Sequence, residues 1–131
     1  MIGNTNPVAE YPRLSQDWLK HETDPQMGRT EVVVAGGAGD LKTGTVLGMV
    51  SASKKWVPLA PAATDGSQTA AGILYGRTDA SGTADVKGVA ITGDARVAPL
   101  ELTFPAGITD AQKAAAMAQL AALEIIPVRL Y

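Results

Sequence analysis

The stretch TDGSQTAAGILYGRTDASGTADVKGVAI, residues 64–91, decides the fold class. It holds two short apolar runs, Ala70–Gly76 and Ala84–Ile91, cut apart by turn dipeptides. Neither run is long enough for a helix of ordinary length, and Ile, Leu, Tyr and Val suit a pleated, half-buried surface. Asp65-Gly66 and Ser81-Gly82 are turn signals, because Asp accepts nearby backbone N–H groups and Gly supplies positive φ at no steric cost. Asp65, Asp79 and Asp85 recur through the stretch. One reading gathers them around Ca²⁺, but their spacing does not fit an EF-hand loop. The other makes them turn formers, and the turn context favours it.

Similar segments extend in both directions. Thr30–Ala35 (TEVVVA) is β-branched; Gly36–Asp40 (GGAGD) reads as a turn; Gly44–Val50 and Lys55–Pro61 read as short extended pieces. In Ala95–Phe104, the residues Leu100, Leu102 and Phe104 alternate with Glu101 and Thr103, which predicts one strand with a single buried face. One helix is predicted near 110–123. Thr109 and Gln112 form a capping-box pattern, Asp110 suits the first turn, and the Ala/Leu/Gln-rich run supplies strong helix formers. Ala114, Met117, Leu120 and Ala121 are predicted to face the core, with Gln112 and Gln119 opposite. Glu124–Tyr131 reads as extended, with Pro127 confining it to an edge or a bulge. The expected fold is mainly β (α+β): one compact domain of short interrupted strands over 30–131, with one helix in the C-terminal half and an extended N-terminal arm over 1–29. Within that arm, Pro7, Pro12 and Pro25 oppose regular structure, and LSQDWLKHE suggests at most one or two helical turns with Ser15 as N-cap.

Composition removes several functions. The 131 residues contain no Cys, so disulfides, thiol catalysis and Cys-based metal sites are excluded. Eleven basic residues balance thirteen acidic ones without clustering, which argues against a nucleic-acid partner. The Ala/Leu-rich run at 114–123 is too short to span a bilayer, and no signal-peptide pattern is read, so no membrane partner and synthesis in a cytoplasm are expected. His21 is the only histidine, and its neighbours Glu22 and Asp24 are too close in sequence to converge easily on one ion. Gly36–Asp40 lacks the Gly-Lys-Ser/Thr that a phosphate-binding loop requires. No catalytic set, metal or cofactor is therefore expected. Trp56 reads as core or edge packing. Trp18, in the polar N-terminal part, reads as a large apolar group needing a local cover or a partner.

Three segments, LKTGTVLGMV (41–50), TDGSQTAAGILYG (64–76) and LTFPAGITDAQKAAAMAQLAALEIIPV (102–128), stand in an order that resembles the D-type head decoration proteins of lambda-like tailed bacteriophages. The resemblance runs from about Thr30 onward. YPRLSQDWLKHETDP (11–25) looks longer than the arm of the simplest family members. The resemblance implies a structural virion protein on the outer capsid surface. It implies a homotrimer bound to the major capsid protein at threefold positions of the expanded head, reinforcing the shell against packaged DNA. It also implies an N-terminal arm that orders against the coat.

A β-branched run directly after a polar arm suggests edge-on pairing with an extended coat segment. The candidate capsid-binding residues are Trp18, Arg29, Thr30, Glu31, Val32, Val33 and Val34. The alternative function is a small β-rich ligand- or carbohydrate-binding module, which predicts an aromatic platform or a carboxylate-lined pocket.

Overall fold

The computed structural model describes residues 18–22, 28–93 and 95–127. Among these the chain forms ten strands, one α-helix and a 3₁₀ turn. Five strands close a small barrel in the order β2 (Arg29–Val34), β5 (Trp56–Pro58), β4 (Val46–Met49), β6 (Ala70–Tyr75), β8 (Val86–Ile91) and back to β2. The β8–β2 seam is a full antiparallel ladder from Arg29↔Ile91 to Val34↔Val86. Closure on the other side of β2 is a single parallel bridge, Val34↔Trp56.

The period-two alternation of strands sorts the apolar residues into two clusters. Val32, Val34, Leu47, Leu74 and Ala90 point one way and, with the partly buried Trp56, draw on all five barrel strands. This is the barrel interior. Leu41 and Ala80 join it from a two-stranded ribbon, β3 (Gly39–Leu41) with β7 (Thr78–Ala80). Val46, Ile73 and Ile91 are the alternate residues of β4, β6 and β8, and they point outward. They are nevertheless fully buried, because a second layer covers them. That layer contains the helix α1 (Asp110–Ala122) and a three-stranded sheet, β10–β9–β1 (Ile125–Pro127, Ala95–Val97, Leu19–Glu22). Strands buried on both faces read as nearly continuous apolar runs, which is why Ala70–Tyr75 shows little alternation.

The mixed architecture, the short strands and the C-terminal-half helix agree with the sequence reading. Three details are corrected. Ala95–Phe104 is not one strand: after β9 the chain turns through the 3₁₀ segment Pro99–Glu101, where Glu101 N–H donates to Ala98 C=O and Leu102 N–H to Pro99 C=O. Pro99 suits the first position of such a turn, because its missing N–H is not needed there. The helix buries Leu120 and packs Met117 against the core as predicted, but Ala116 is buried in place of Ala114, which is exposed. Gln119 faces the body, where its side-chain oxygen accepts the Ala70 N–H at 2.8 Å. That bond satisfies a backbone donor at the start of β6, a need invisible in helical periodicity. Finally, Leu19–Glu22 is a strand rather than a helical turn, paired antiparallel with β9. Tertiary pairing overrides local propensity here. Ser15, the expected N-cap, lies outside the described residues.

The capping box at Thr109 is present in both directions. Gln112 N–H donates to Thr109 Oγ1 at 3.1 Å, and Thr109 N–H to Gln112 Oε1 at 2.9 Å. Pro127 ends β10, at the edge of its sheet.

Candidate functional site

Of the residues proposed for contact with a partner, Trp18 has a local cover, one of the two outcomes its sequence left open. It is 2% exposed and belongs to the outer core cluster. Its indole N–H donates to Thr43 Oγ1 at 2.9 Å, and its C=O accepts the Ala98 N–H at 2.7 Å. Gly44 makes room for the ring: at φ +89° it sits so close that a Cβ there would stand 2.8 Å from the indole Cδ1. Thr43-Gly44 is thus the sequence signal for a Trp slot, 25 residues from the Trp it serves. Local composition around Trp18 could not reveal it. The described parts of the expected arm pack and pair with the body: Trp18–Glu22 with the outer core and β9, Gly28 and Arg29 with β8 and Thr92. Residues 1–17 and 23–27 lie outside the described residues.

The other candidates form β2, and its register assigns each a direction. Thr92 N–H donates to Gly28 C=O at 2.7 Å, which makes 28/92 a hydrogen-bonded pair. Alternation along an antiparallel ladder then puts Thr30, Val32 and Val34 in hydrogen-bonded pairs with β8. The backbone groups of Glu31 and Val33 turn away from β8. On that side only Val34 is bridged to β5, with Ala35 N–H donating to Trp56 C=O at 3.0 Å. The Glu31 N–H and C=O and the Val33 N–H therefore have no ladder partner among the described residues. The side chains divide the same way. Val32 and Val34 fill the barrel interior, whereas Glu31 and Val33 point outward, Val33 being 38% exposed. Thr30 is tied to Thr92 through their hydroxyls at 2.8 Å.

Arg29 and Trp18 are brought together by a residue that the sequence reading did not single out. The Arg29 guanidinium lies 3.9 Å over the Tyr75 ring centroid. Trp18 meets the same ring edge-on, with centroids 6.4 Å apart.

Two of the three aspartates of the opening stretch, Asp65 and Asp79, are turn formers; Asp85 instead ties distant segments, accepting the Gly36 N–H and pairing with Lys55. Asp65 Oδ1 accepts from the Ser67 N–H and hydroxyl, and Asp79 Oδ1 from those of Ser81, with both hydroxyl contacts at 2.6 Å. These bonds favour the ionised form and hold both carboxyls below the ordinary Asp value. Each pair fixes its turn through bonds between residues two apart. Asp85 is likewise lowered, by Lys55 at 2.8 Å and by the Gly36 N–H. No cluster of three or more His, Asp or Glu that could hold a metal occurs among the described residues. Nor, among them, is any helix long and apolar enough to cross a membrane.

One open cleft of about 430 Å³ lies between Leu41, Val46, Pro58, Phe104 and Pro105. Its rim carries Asp40, bound bidentately by Arg77 at 2.9 and 2.6 Å. A sugar site would need an aromatic platform or uncommitted carboxylates. This cleft offers one Phe and a carboxylate already neutralised by its partner.

A family model described as bacteriophage lambda head decoration protein D matches residues 8–125. The chain belongs to that family. A comparison with curated proteins finds no match. Membership in the head decoration family carries a structural, capsid-associated role and a place in the virion, and agrees with a non-enzymatic reading of the aspartates. The match includes Trp18, β1 and the start of β2, so the family's sequence pattern extends well upstream of Thr30.

Proposed function

We propose that the protein binds the major capsid protein as a homotrimer at threefold positions of the expanded head. There it stabilises the shell against the pressure of packaged DNA, with the open edge of β2 as its contact with an extended coat segment. The observation that carries the contact is the pair Glu31 and Val33, whose backbone groups turn outward on a strand bridged to β5 only at Val34. Such an edge is a template for strand addition.

The energetics require several contacts at once. Val32 and Val34 are already buried in the protomer, so they add nothing on binding. What remains is Val33 and a few backbone hydrogen bonds worth about 0.5–1.5 kcal/mol each, set against about 1–2 kcal/mol to order each residue of the incoming segment. A single edge is then a weak site. Three edges on one trimer bind well, because the second and third contacts are effectively intramolecular.

Glu31→Pro tests this directly. Proline removes the outward N–H, which the β8 ladder does not use, and its ring blocks an added strand. The variant is expected to stay folded and trimeric by solution mass, and to lose sedimentation with expanded capsids. Full capsid affinity in a trimeric Glu31→Pro protein would rule out the edge as the contact. A monomeric wild-type mass would rule out the homotrimer.

A further inference from the structure

Tyr75 stands at the junction of three elements. It ends β6, and β8 lies between it and β2 in the barrel wall. The register pairs Tyr75 with Val89 and Arg29 with Ile91 on the outward face of β8. To place its guanidinium 3.9 Å over the Tyr75 ring, Arg29 must cross the outer face of β8. Two strand spacings, about 10 Å, separate β2 from β6, and the Arg side chain and the phenol ring together close that gap. Trp18, edge-on to the same ring, is held in its Gly44 slot. Thr43 Oγ1 links this arrangement to the backbone, because it accepts both the Trp18 indole N–H and the N–H of Gly76, the residue after Tyr75.

β2 has unequal support along its length. At its Val34 end it is paired on both sides. At its Arg29 end the ladder to β8 is the only strand pairing among the described residues. The cation–aromatic contact on Tyr75 fastens that second end.

We propose that Tyr75 is the positioning residue of the β2 edge. By seating Arg29 against the Trp18-braced ring, it keeps the Arg29 end of the strand on β8, so that Glu31 and Val33 present their backbone groups in strand geometry before the coat segment arrives. This rests on the reading of the β2 edge as the capsid contact. Preorganisation of this kind raises affinity by lowering the ordering cost at the moment of binding.

The test uses the full chain in two measurements: sedimentation with expanded capsids, and amide hydrogen exchange of the free protein. Tyr75→Leu is expected to weaken capsid affinity by about three- to tenfold per site and to speed exchange at the Thr30 amide, which pairs with Ala90, relative to amides of β4. Tyr75→Phe keeps the ring face and edge and is expected to match wild type in both. Arg29→Gln leaves the aromatic pair intact and is expected to reproduce the Tyr75→Leu exchange pattern, which guards against a general core defect in that variant. Wild-type exchange and affinity in both Tyr75→Leu and Arg29→Gln would overturn the proposal, as would a loss in Tyr75→Phe equal to that in Tyr75→Leu. If Glu31→Pro keeps full affinity while Thr30 exchange is still faster in Tyr75→Leu, the edge reading fails: Tyr75 then fastens a strand that the capsid does not use.

Discussion

The two walls of the barrel are built from similar sequence and end in different states. In the wall of β4, β6 and β8, the outward residues Val46, Ile73 and Ile91 lie beneath the helix, the small sheet and Trp18. In the wall of β2, the outward residues Glu31 and Val33 are exposed. Inward, Val32 and Val34 of the open wall are buried like Leu47, Leu74 and Ala90 of the covered one. The difference arises outside the barrel, in which strands the second layer reaches. A covered wall supplies stability, while an open wall with an unfinished ladder supplies a surface that another chain can complete.

The sharpest way to break this comparison is to truncate one residue of each wall's outer side. Leu120→Ala removes a fully buried side chain packed over the covered wall and is expected to cost about 2–5 kcal/mol in denaturant unfolding. Val33→Ala on the open wall is expected to change stability by no more than about 0.5 kcal/mol. Similar costs for the two would mean that the open wall is covered in solution.

A smaller effect is expected at Gly48, in β4. A Cβ there would overlap the Ser67 backbone, against which the strand packs beside its register shift at Leu47/Gly48. Gly48→Ala is expected to cost about 1–3 kcal/mol by forcing that loop away, measured as a fall in the unfolding midpoint. A neutral result would show that the Asp65–Ser67 turn moves freely on the covered wall.

Thr109→Ala removes one half of the capping box and is expected to cost about 1 kcal/mol. The helix packs chiefly against β6 and β10, so capsid sedimentation by the β2 edge should be unchanged. A parallel loss of capsid affinity would link the walls more closely than the structure indicates.

The smallest effects belong to three exposed aspartates. The pKa values of Asp65, Asp79 and Asp85 are lowered on folding, chiefly by side-chain hydrogen bonds from Ser67, Ser81 and Lys55 respectively. Their contribution is therefore present above the ordinary Asp value, near pH 4, and fades as pH falls through the lowered folded values. Carboxyl NMR titration should place all three midpoints below that of an unstructured Asp. For Asp65, a midpoint at the ordinary value would mean that the Ser67 bonds do not persist in solution.

Much of this organisation is legible in the sequence because its causes are local. The helix start is written in Thr109, Asp110 and Gln112, since a cap and its partner stand three residues apart. The turns at Asp65 and Asp79 are equally local, each carboxylate reaching a serine two residues on. The strands of the covered wall announce themselves by continuous apolar runs, and the chain's family by the order of its segments. The candidate strand Arg29–Val34 was legible too, by its β-branched residues.

Tertiary structure decided everything that depends on residues far apart in the chain. It put Trp18 in a slot made by Thr43 and Gly44, turned Gln119 inward to serve Ala70, and set Arg29 on Tyr75. It also left β2 bridged to β5 at one residue, so that Glu31 and Val33 lie on an edge that is open among the described residues. A sequence fixes which groups need a partner, through their polarity, size and backbone donors. Which partner each group finds depends on how distant strands come into register and close the barrel, and no local pattern of residues carries that information.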